Sequence, residues 1–200
     1  MQSLLLATGN PSKVREISTA IADLNFAIIS LAKFKNHFDE PAEDGDTFEE
    51  NARIKSEFWR EKTELPTLSD DSGILVEALP EELGVRTVRF GAGKKASDKE
   101  WLDYFLKRMH KQKNRRAQFI SVIAISVPNS ETYFFRGEVH GEILEKPAAP
   151  LLPRIPLSSV FLASGASKVF AAMNTTEKER FSHRGRALVA ARKFLEKLSC

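Results

Sequence analysis

The carboxylates are the residues of this chain whose types and spacing point most directly to chemistry. Glu40, Glu43, Asp44 and Asp46 share one polar loop, and Asp70-Asp71 stands between two apolar runs. Carboxylate oxygens, combined with phosphate oxygens and water, are the donor set that Mg²⁺ selects, because this ion keeps several waters and is rarely held in an all-protein cage. Solvated surface is the competing account of the loop carboxylates. For Asp70-Asp71-Ser72-Gly73 both accounts stand. Successive side chains of a regular strand point to opposite faces, so the two aspartates can serve one ligand only where the strand breaks, and Ser72-Gly73 offers a place for the break.

Two groups of cationic and polar residues complement these acids. Thr8-Gly9-Asn10-Pro11-Ser12-Lys13 is a glycine turn opening a helix, with a lysine one turn in. Backbone N–H groups and the positive end of a helix suit a phosphate there. The second glycine and the Lys-Ser/Thr pair of a Walker sequence are missing, and an ordinary strand-to-helix turn with a surface lysine accounts for the same residues. Ser182-His183-Arg184 puts two potential cations in the first turn of a helix, where the macrodipole disfavours positive charge, and Lys178 lies just upstream. A bound anion or an electron-rich base edge would compensate; a structural arginine is the alternative.

The elements that must carry these residues follow from periodicity. Residues 2–7 are a short apolar strand, followed by Val14, Ile17, Ile21 and Leu24 at helical spacing, with Asn10 as N-cap and Pro11 as first helical residue. Phe26 to Leu31 reads as a second strand. Thr47-Phe48-Glu49-Glu50 has the spacing of a capping box, and Phe48, Ala52, Lys55 and Trp59 follow on one stripe with Asn51 beside them. An amide and an ammonium thus share a face that should be buried, and they need a reason to be there. Thr67 to Val76 reads as two short strands joined at the acidic pair. Asp98 to His110 is helical, and the basic run Lys111 to Arg116 after it is most simply a solvated connection. Ala117–Val127 and Thr132–Leu144 make a long hairpin around Pro128-Asn129-Ser130. Pro147, Pro150, Pro153 and Pro156 recur at every third residue, the period of polyproline II, and predict an extended loop. Ser182 caps a last helix with Ala187, Leu188, Ala191, Phe194, Leu195 and Leu198 as its apolar stripe.

Two hundred residues with 42% hydrophobic and 28% charged positions suit one globular domain spanning 1–200 rather than a disordered chain. A formal charge of +3 attracts polyanions only mildly. Cys200 is the only cysteine, which excludes an intrachain disulfide and thiolate metal sites and fits a reducing, cytoplasmic compartment. No stretch has the apolar length of a membrane span.

In chain order, Ala7–Glu16, Glu43–Lys55, Leu68–Gly73, Gly84–Gly91, Gly137–Ile143 and Ser182–Leu188 resemble the successive motifs of the inosine triphosphate pyrophosphatase family, across nearly the whole chain except 146–175. The resemblance implies an α/β fold: a mixed central β-sheet flanked by helices, in two lobes with the active-site cleft between them. It implies Mg²⁺-dependent hydrolysis of non-standard purine nucleoside triphosphates, ITP, dITP and XTP, to the monophosphate and pyrophosphate. Glu43 and Asp70 would bind Mg²⁺, Asp71 would position or activate water, and Lys13 and Lys55 would act on the phosphates. Thr8, Asn10, Ser72 and Arg89 would complete the phosphate side. Lys178, His183 and Arg184 would meet the 6-oxo group of the purine, and adenine, with a 6-amino donor there, would leave polar groups unpaired. A homodimer is expected on the same ground, and neither nucleic acid nor membrane as a partner.

In one segment the sequence departs from the pattern. Where the family carries a Gly-Phe-Gly-Tyr-Asp-Pro loop that stacks on and reads the base, this chain has Pro147–Phe161, with Ile155, Leu157 and Ser158 set against the family's Phe, Tyr and Asp. Altered base specificity, nucleotide binding without turnover, and a local discontinuity in the coding frame are the three accounts, and retained hydrolysis with altered or weakened base selection is favoured, because the metal and phosphate residues are complete. From other classes, a nucleic-acid-binding module would use Lys107 to Arg116, His183, Arg184 and Arg186, although the carboxylates would repel a polyanion and the run lacks interleaved aromatics. A proline-rich ligand at 147–156 rests on periodicity alone.

Overall fold

The computed structural model describes residues 1–34, 37–80, 82–89, 92–93 and 95–199, with the backbone alone for 88 and 89. Its strands are β1 (Gln2–Leu6), β2 (Phe26–Ser30), β3 (Thr67–Val76), β4 (Arg116–Ser126), β5 (Thr132–Ile143) and β6 (Phe161–Ala163). Its helices are α1 (Pro11–Ala20), α2 (Phe48–Thr63), α3 (Asp98–Met109), α4 (Thr175–Phe181) and α5 (His183–Leu198). The strands form one mixed sheet in the order β2-β1-β3-β4-β5-β6. β1 runs parallel to both β2 and β3, while β5 and β6 are antiparallel. This is the α/β class with a mixed sheet that the sequence predicts. Among the described residues no helix is long and apolar enough to cross a membrane.

Two compact units divide the chain: Met1–Asp71 with Ser121–Gly137 and Arg184–Cys200, and Ser72–Ile120 with Glu138–His183. In the first unit, Leu4, Leu5 and Leu6 are all fully buried, as expected of a parallel strand covered on both faces. Alternation sends Leu4 and Leu6 to a core with Ile17, Leu68, Ala187 and Leu195, and Leu5 to another with Leu31 and Trp59. The second unit has its own core around Trp101, Phe105, Phe161 and Phe170.

Local signals act as read. Asn10 caps α1 by accepting from the Ser12 amide, Pro11 occupies its first turn, and Thr47 and Glu50 close the capping box of α2. Asn129 takes φ 59° in the turn between β4 and β5.

Three expectations are corrected. β3 is one continuous strand through Asp70-Asp71-Ser72-Gly73, not two. The proline-rich stretch carries no helix or strand as far as Ile155, but Pro156 opens a 3₁₀ turn, Pro156–Ser159, closed by Ser158 and Ser159 hydroxyls donating to the carbonyls of Ile155 and Pro156. The basic run is not wholly solvated, because Arg115 donates to the carbonyls of Met109, Ile143 and Leu144. α4 was not foreseen, although its capping box, Asn174 with Glu177, was present to be read.

Gly141 on β5 shows how closely the β5–β6 pair is packed. A Cβ there would lie 2.3 Å from the Leu162 carbonyl oxygen and 2.7 Å from the Phe161 ring. Gly141→Ala is therefore expected to destabilise the protein by about 1–3 kcal/mol, seen as a lower urea midpoint at unchanged slope.

Candidate active site

The site grows from the β1–α1 turn, the loop before α2, the middle of α2, and Asp70-Asp71 of β3, all within the first unit. The turn is held by its own side chains: the Asn10 amide donates to Thr8 Oγ1 at 3.2 Å, and the Ser12 amide to Asn10 Oδ1 at 3.0 Å. This fixes the first turn of α1 and with it the root of Lys13. The Lys13 ammonium lies 2.6 Å from Asp70 Oδ2 and donates to the Asp70 carbonyl at 3.3 Å. From α2, the Lys55 ammonium donates to the same carbonyl at 3.1 Å, to Asp71 Oδ1 at 3.1 Å and to Glu43 Oε2 at 2.9 Å. Two lysines from different helices thus converge on one backbone oxygen of β3, with carboxylates around them.

Asp70 is 1% exposed. Its carboxylate accepts from Arg184 Nε and Nη2, each at 3.3 Å, and from the Ser121 hydroxyl on β4. Burial opposes its charge, but Arg184 and Lys13 overcome that and hold the acid well below the usual carboxylate range. Arg184 is itself buried and reaches in its other direction to Glu16 on α1, so desolvation is outweighed by Asp70 and Glu16 and its pKa is raised. For Lys13, burial is the chief effect and lowers the pKa, with Asp70 opposing and Arg184 and Lys55 reinforcing the fall. For Lys55, burial is outweighed by the carboxylates of Asp71 and Glu43, which raise it. Asp71 is pushed up, chiefly by its own burial, against the pull of Lys55 and Lys13. Neighbouring acids on one strand are therefore driven in opposite directions, one held ionised and the other poised to take a proton.

Such a cluster is suited to an oxyanion-rich ligand and a divalent cation, and known proteins bear on which. The profile of the Ham1 family matches residues 4–194. The chain belongs to the Ham1 family. A relative from Thermus thermophilus named dITP/XTP pyrophosphatase is 40% identical over 189 residues, which is 94% of this chain and 88% of the relative. One of the same name from Deinococcus radiodurans is 36% identical over 190 residues, 95% of this chain and 91% of the relative. Among solved structures, the Ham1 protein of Staphylococcus aureus superposes with a TM-score of 0.84 at 31% identity, covering 98% of this chain and 100% of its own. A HAM1 protein from Coxiella burnetii gives 0.85, also at 31% identity, with the same coverage.

Within this Ham1 protein, Thr8, Asn10, Lys13, Glu43, Lys55, Asp70, Asp71 and Arg184 all belong to the first unit. Ser72, Lys178 and His183 belong to the second. There the His183 ring stacks on Phe119 at 4.8 Å and 16° between planes, and on Phe170 at 6.0 Å and 21°. The side chain of Arg89, with Phe90, Gly91 and Cys200, lies outside the described residues. Among the described residues, no three His, Cys, Asp or Glu side chains group as a metal site, since the acids meet cations rather than one another. Sequence reasoning missed Glu16 and Ser121 as partners of Arg184 and Asp70. Glu16 had a signal, standing three residues after Lys13 on the same face of α1; Ser121 had none.

Asp70→Asn takes from buried Lys13 its carboxylate partner and from buried Arg184 one of its two, and is expected to cost about 3–5 kcal/mol in denaturant unfolding near neutral pH. The ordinary Asp value is 3.8 and the folded value lies well below it. The contribution is therefore complete above that ordinary value and is lost as pH falls through the folded one. The gap between the wild type and the variant should stay constant from neutral to mildly acid pH and close only in strong acid.

Proposed function

We propose that this Ham1 protein is a Mg²⁺-dependent pyrophosphatase of non-standard purine nucleoside triphosphates, releasing the monophosphate and pyrophosphate. The observation that carries the proposal is the convergence of the Lys13 and Lys55 ammoniums on the Asp70 carbonyl beside an Asp71 carboxyl of raised pKa. Relatives 36% and 40% identical that are named dITP/XTP pyrophosphatase support the substrate class.

The donor set fits magnesium. Carboxylate oxygens of Glu43 and Asp71 and the main-chain carbonyl oxygen of Asp70 already surround one cation, the Lys55 ammonium, at 2.9 to 3.1 Å, and all are the hard oxygens this ion takes, while the Asp70 carboxylate itself meets Lys13 and Arg184. Glu43 and Asp70 are the residues proposed to hold it. When bound, Mg²⁺ supplies charge neutralisation on the phosphate oxygens. Lys13 and Lys55 bind phosphate oxygens from two helices, and the first turn of α1, fixed by Thr8 and Asn10, turns its positive end toward the same anion. Asp71 accepts a proton from water as the water oxygen bonds to the α-phosphorus. The bond from that phosphorus to its bridging oxygen breaks, and pyrophosphate leaves with the electron pair. Positioning and electrostatics carry the step, and no covalent intermediate is required. Arg184, itself anchored by Glu16, holds Asp70 in place.

Asp71→Asn should reduce kcat/KM for ITP by about 10²–10⁴ and abolish the acid limb of its pH profile, with unfolding stability close to wild type. That limb should lie above the ordinary Asp value of 3.8, because the folded pKa is raised. Wild-type activity without Mg²⁺, or an unaltered limb in the variant, would sink the mechanism.

Base choice is expected to be loose. Leu157 and Ser158 are buried, the Ser158 hydroxyl is committed to the Ile155 carbonyl at 2.6 Å, and neither Ile155 nor Leu157 offers a ring for stacking. A pocket that has lost the ring and carboxylate of the family's loop, with Lys178 and His183 as its remaining polar readers, is expected to discriminate nearer roughly 10²-fold than the 10⁴ or more of a fully hydrogen-bonding one. Rates of pyrophosphate release from ITP, XTP, GTP and ATP at equal Mg²⁺ should therefore favour ITP and XTP by no more than the smaller factor.

A further inference from the structure

Asn51 is 3% exposed on the inner stripe of α2, and it makes no hydrogen bond to a residue that carries the proposed chemistry. Its carboxamide is spent on one residue of the preceding loop. Asn51 Oδ1 accepts from the Gly45 amide at 2.9 Å, and Asn51 Nδ2 donates to the Gly45 carbonyl at 3.3 Å. Both backbone groups of a single loop residue are held, as a neighbouring strand would hold them. The next two amides, of Asp46 and Thr47, donate to Glu50 Oε2 at 2.8 and 3.1 Å. Gly45 has no room for a side chain, since a Cβ would lie 2.7 Å from Glu50 Cβ and 3.0 Å from Asn51 Oδ1.

Glu43 lies two residues before this clamp. Lys55, four residues after Asn51 and hence on the same face of α2, receives the Glu43 carboxylate at 2.9 Å. The loop is thus fastened to α2 at two levels one turn apart, by backbone at Asn51 and by charge at Lys55. A ligand that takes Lys55 for its phosphates removes the second fastening and leaves the first. We infer that Asn51 is a positioning residue for the proposed reaction. By gripping Gly45 it keeps the Glu43 carboxylate at the cluster when Lys55 changes partner. The inference rests on the reading of Glu43 as a metal-holding group.

The test compares wild type, Asn51→Ala, Asn51→Asp, Glu43→Gln and the Asn51→Ala/Glu43→Gln double variant. Wild-type hydrogen exchange should show the Gly45 amide as protected as amides within α2, and Asn51→Ala should remove that protection. Asn51→Ala should also raise the Mg²⁺ concentration for half-maximal ITP hydrolysis by roughly tenfold, leaving kcat at saturating Mg²⁺ within about twofold. Asn51→Asp keeps the acceptor for the Gly45 amide and should retain part of the protection, which preserves the test if the alanine variant does not fold. With Glu43 already replaced, the alanine substitution should add no further shift. An unprotected Gly45 amide in wild type, or an equal Mg²⁺ shift in both backgrounds, would overturn the role of Asn51 and leave the reading of Glu43 standing. An unchanged Mg²⁺ requirement in Glu43→Gln would instead remove the proposed metal role of Glu43, and the assignment of Asn51 with it.

Discussion

A carboxylate taken out of water is costly by several kcal/mol unless cations and hydrogen bonds replace its hydration, and Asp70 at 1% exposure is such a group. Its compensation comes from three separate places in the sequence: Lys13 on α1, Arg184 on α5 and Ser121 on β4. Each partner in turn needs support. Arg184 is drawn back by Glu16, and Lys13 is seated by a turn that Thr8 and Asn10 tie together. The first unit, assembled from three stretches of chain, is therefore fastened at one buried charge as well as by its apolar cores. Removing any one partner leaves a buried ion with part of its compensation gone, which makes this chemistry intolerant of piecemeal change.

α2 performs a second organising task with equally few residues. Its capping box ends the acidic loop, Asn51 grips that loop's backbone, Lys55 collects three oxygens, and Trp59 is buried among apolar residues that include Leu5. These residues lie at successive turns of one stripe. A helix of mixed polar and apolar burial is explained when each buried polar atom has a named partner, as Asn51, Lys55 and Ser56 do here.

Elements whose signals are local were legible from sequence: the Asn-Pro start of α1, the Thr-x-x-Glu start of α2, the apolar alternation of β4 and β5. The misreading at β3 is instructive. A break was expected because adjacent aspartates cannot point the same way, and alternation does hold, since Asp70 meets Arg184 and Ser121 while Asp71 meets Lys55. No break is needed, because Lys55 takes the carbonyl of one residue and the carboxylate of the next. Main-chain acceptors are invisible to a reading by side-chain type. Pro156 misled in another way: a three-residue period fits polyproline II, but proline is equally at home at the start of a 3₁₀ turn, and two serine hydroxyls settle it there. Pairings between distant segments, such as Ser121 with Asp70, depend on strand register, which residue spacing along the chain does not encode.

The choice of cation at each position follows the same physics. Arg184 must satisfy two carboxylates at once from a fixed place, and a planar guanidinium with donors on several edges does so with little loss of freedom. At 13 and 55 the chain uses lysine, a single ammonium on a flexible stem whose donors rotate. In the proposed reaction those two must leave carboxylate and carbonyl oxygens for phosphate oxygens and return, and an ammonium can exchange partners without rebuilding a paired geometry. Arginine at either position would strengthen the resting cluster and tie down the groups that have to move. Lysine at 184 would bring a single nitrogen where the guanidinium sends Nε and Nη2 to Asp70 and Nη1 to Glu16. In the proposed reaction Arg184 is thus the fixed cation of the cluster, and Lys13 and Lys55 are the ones that exchange partners.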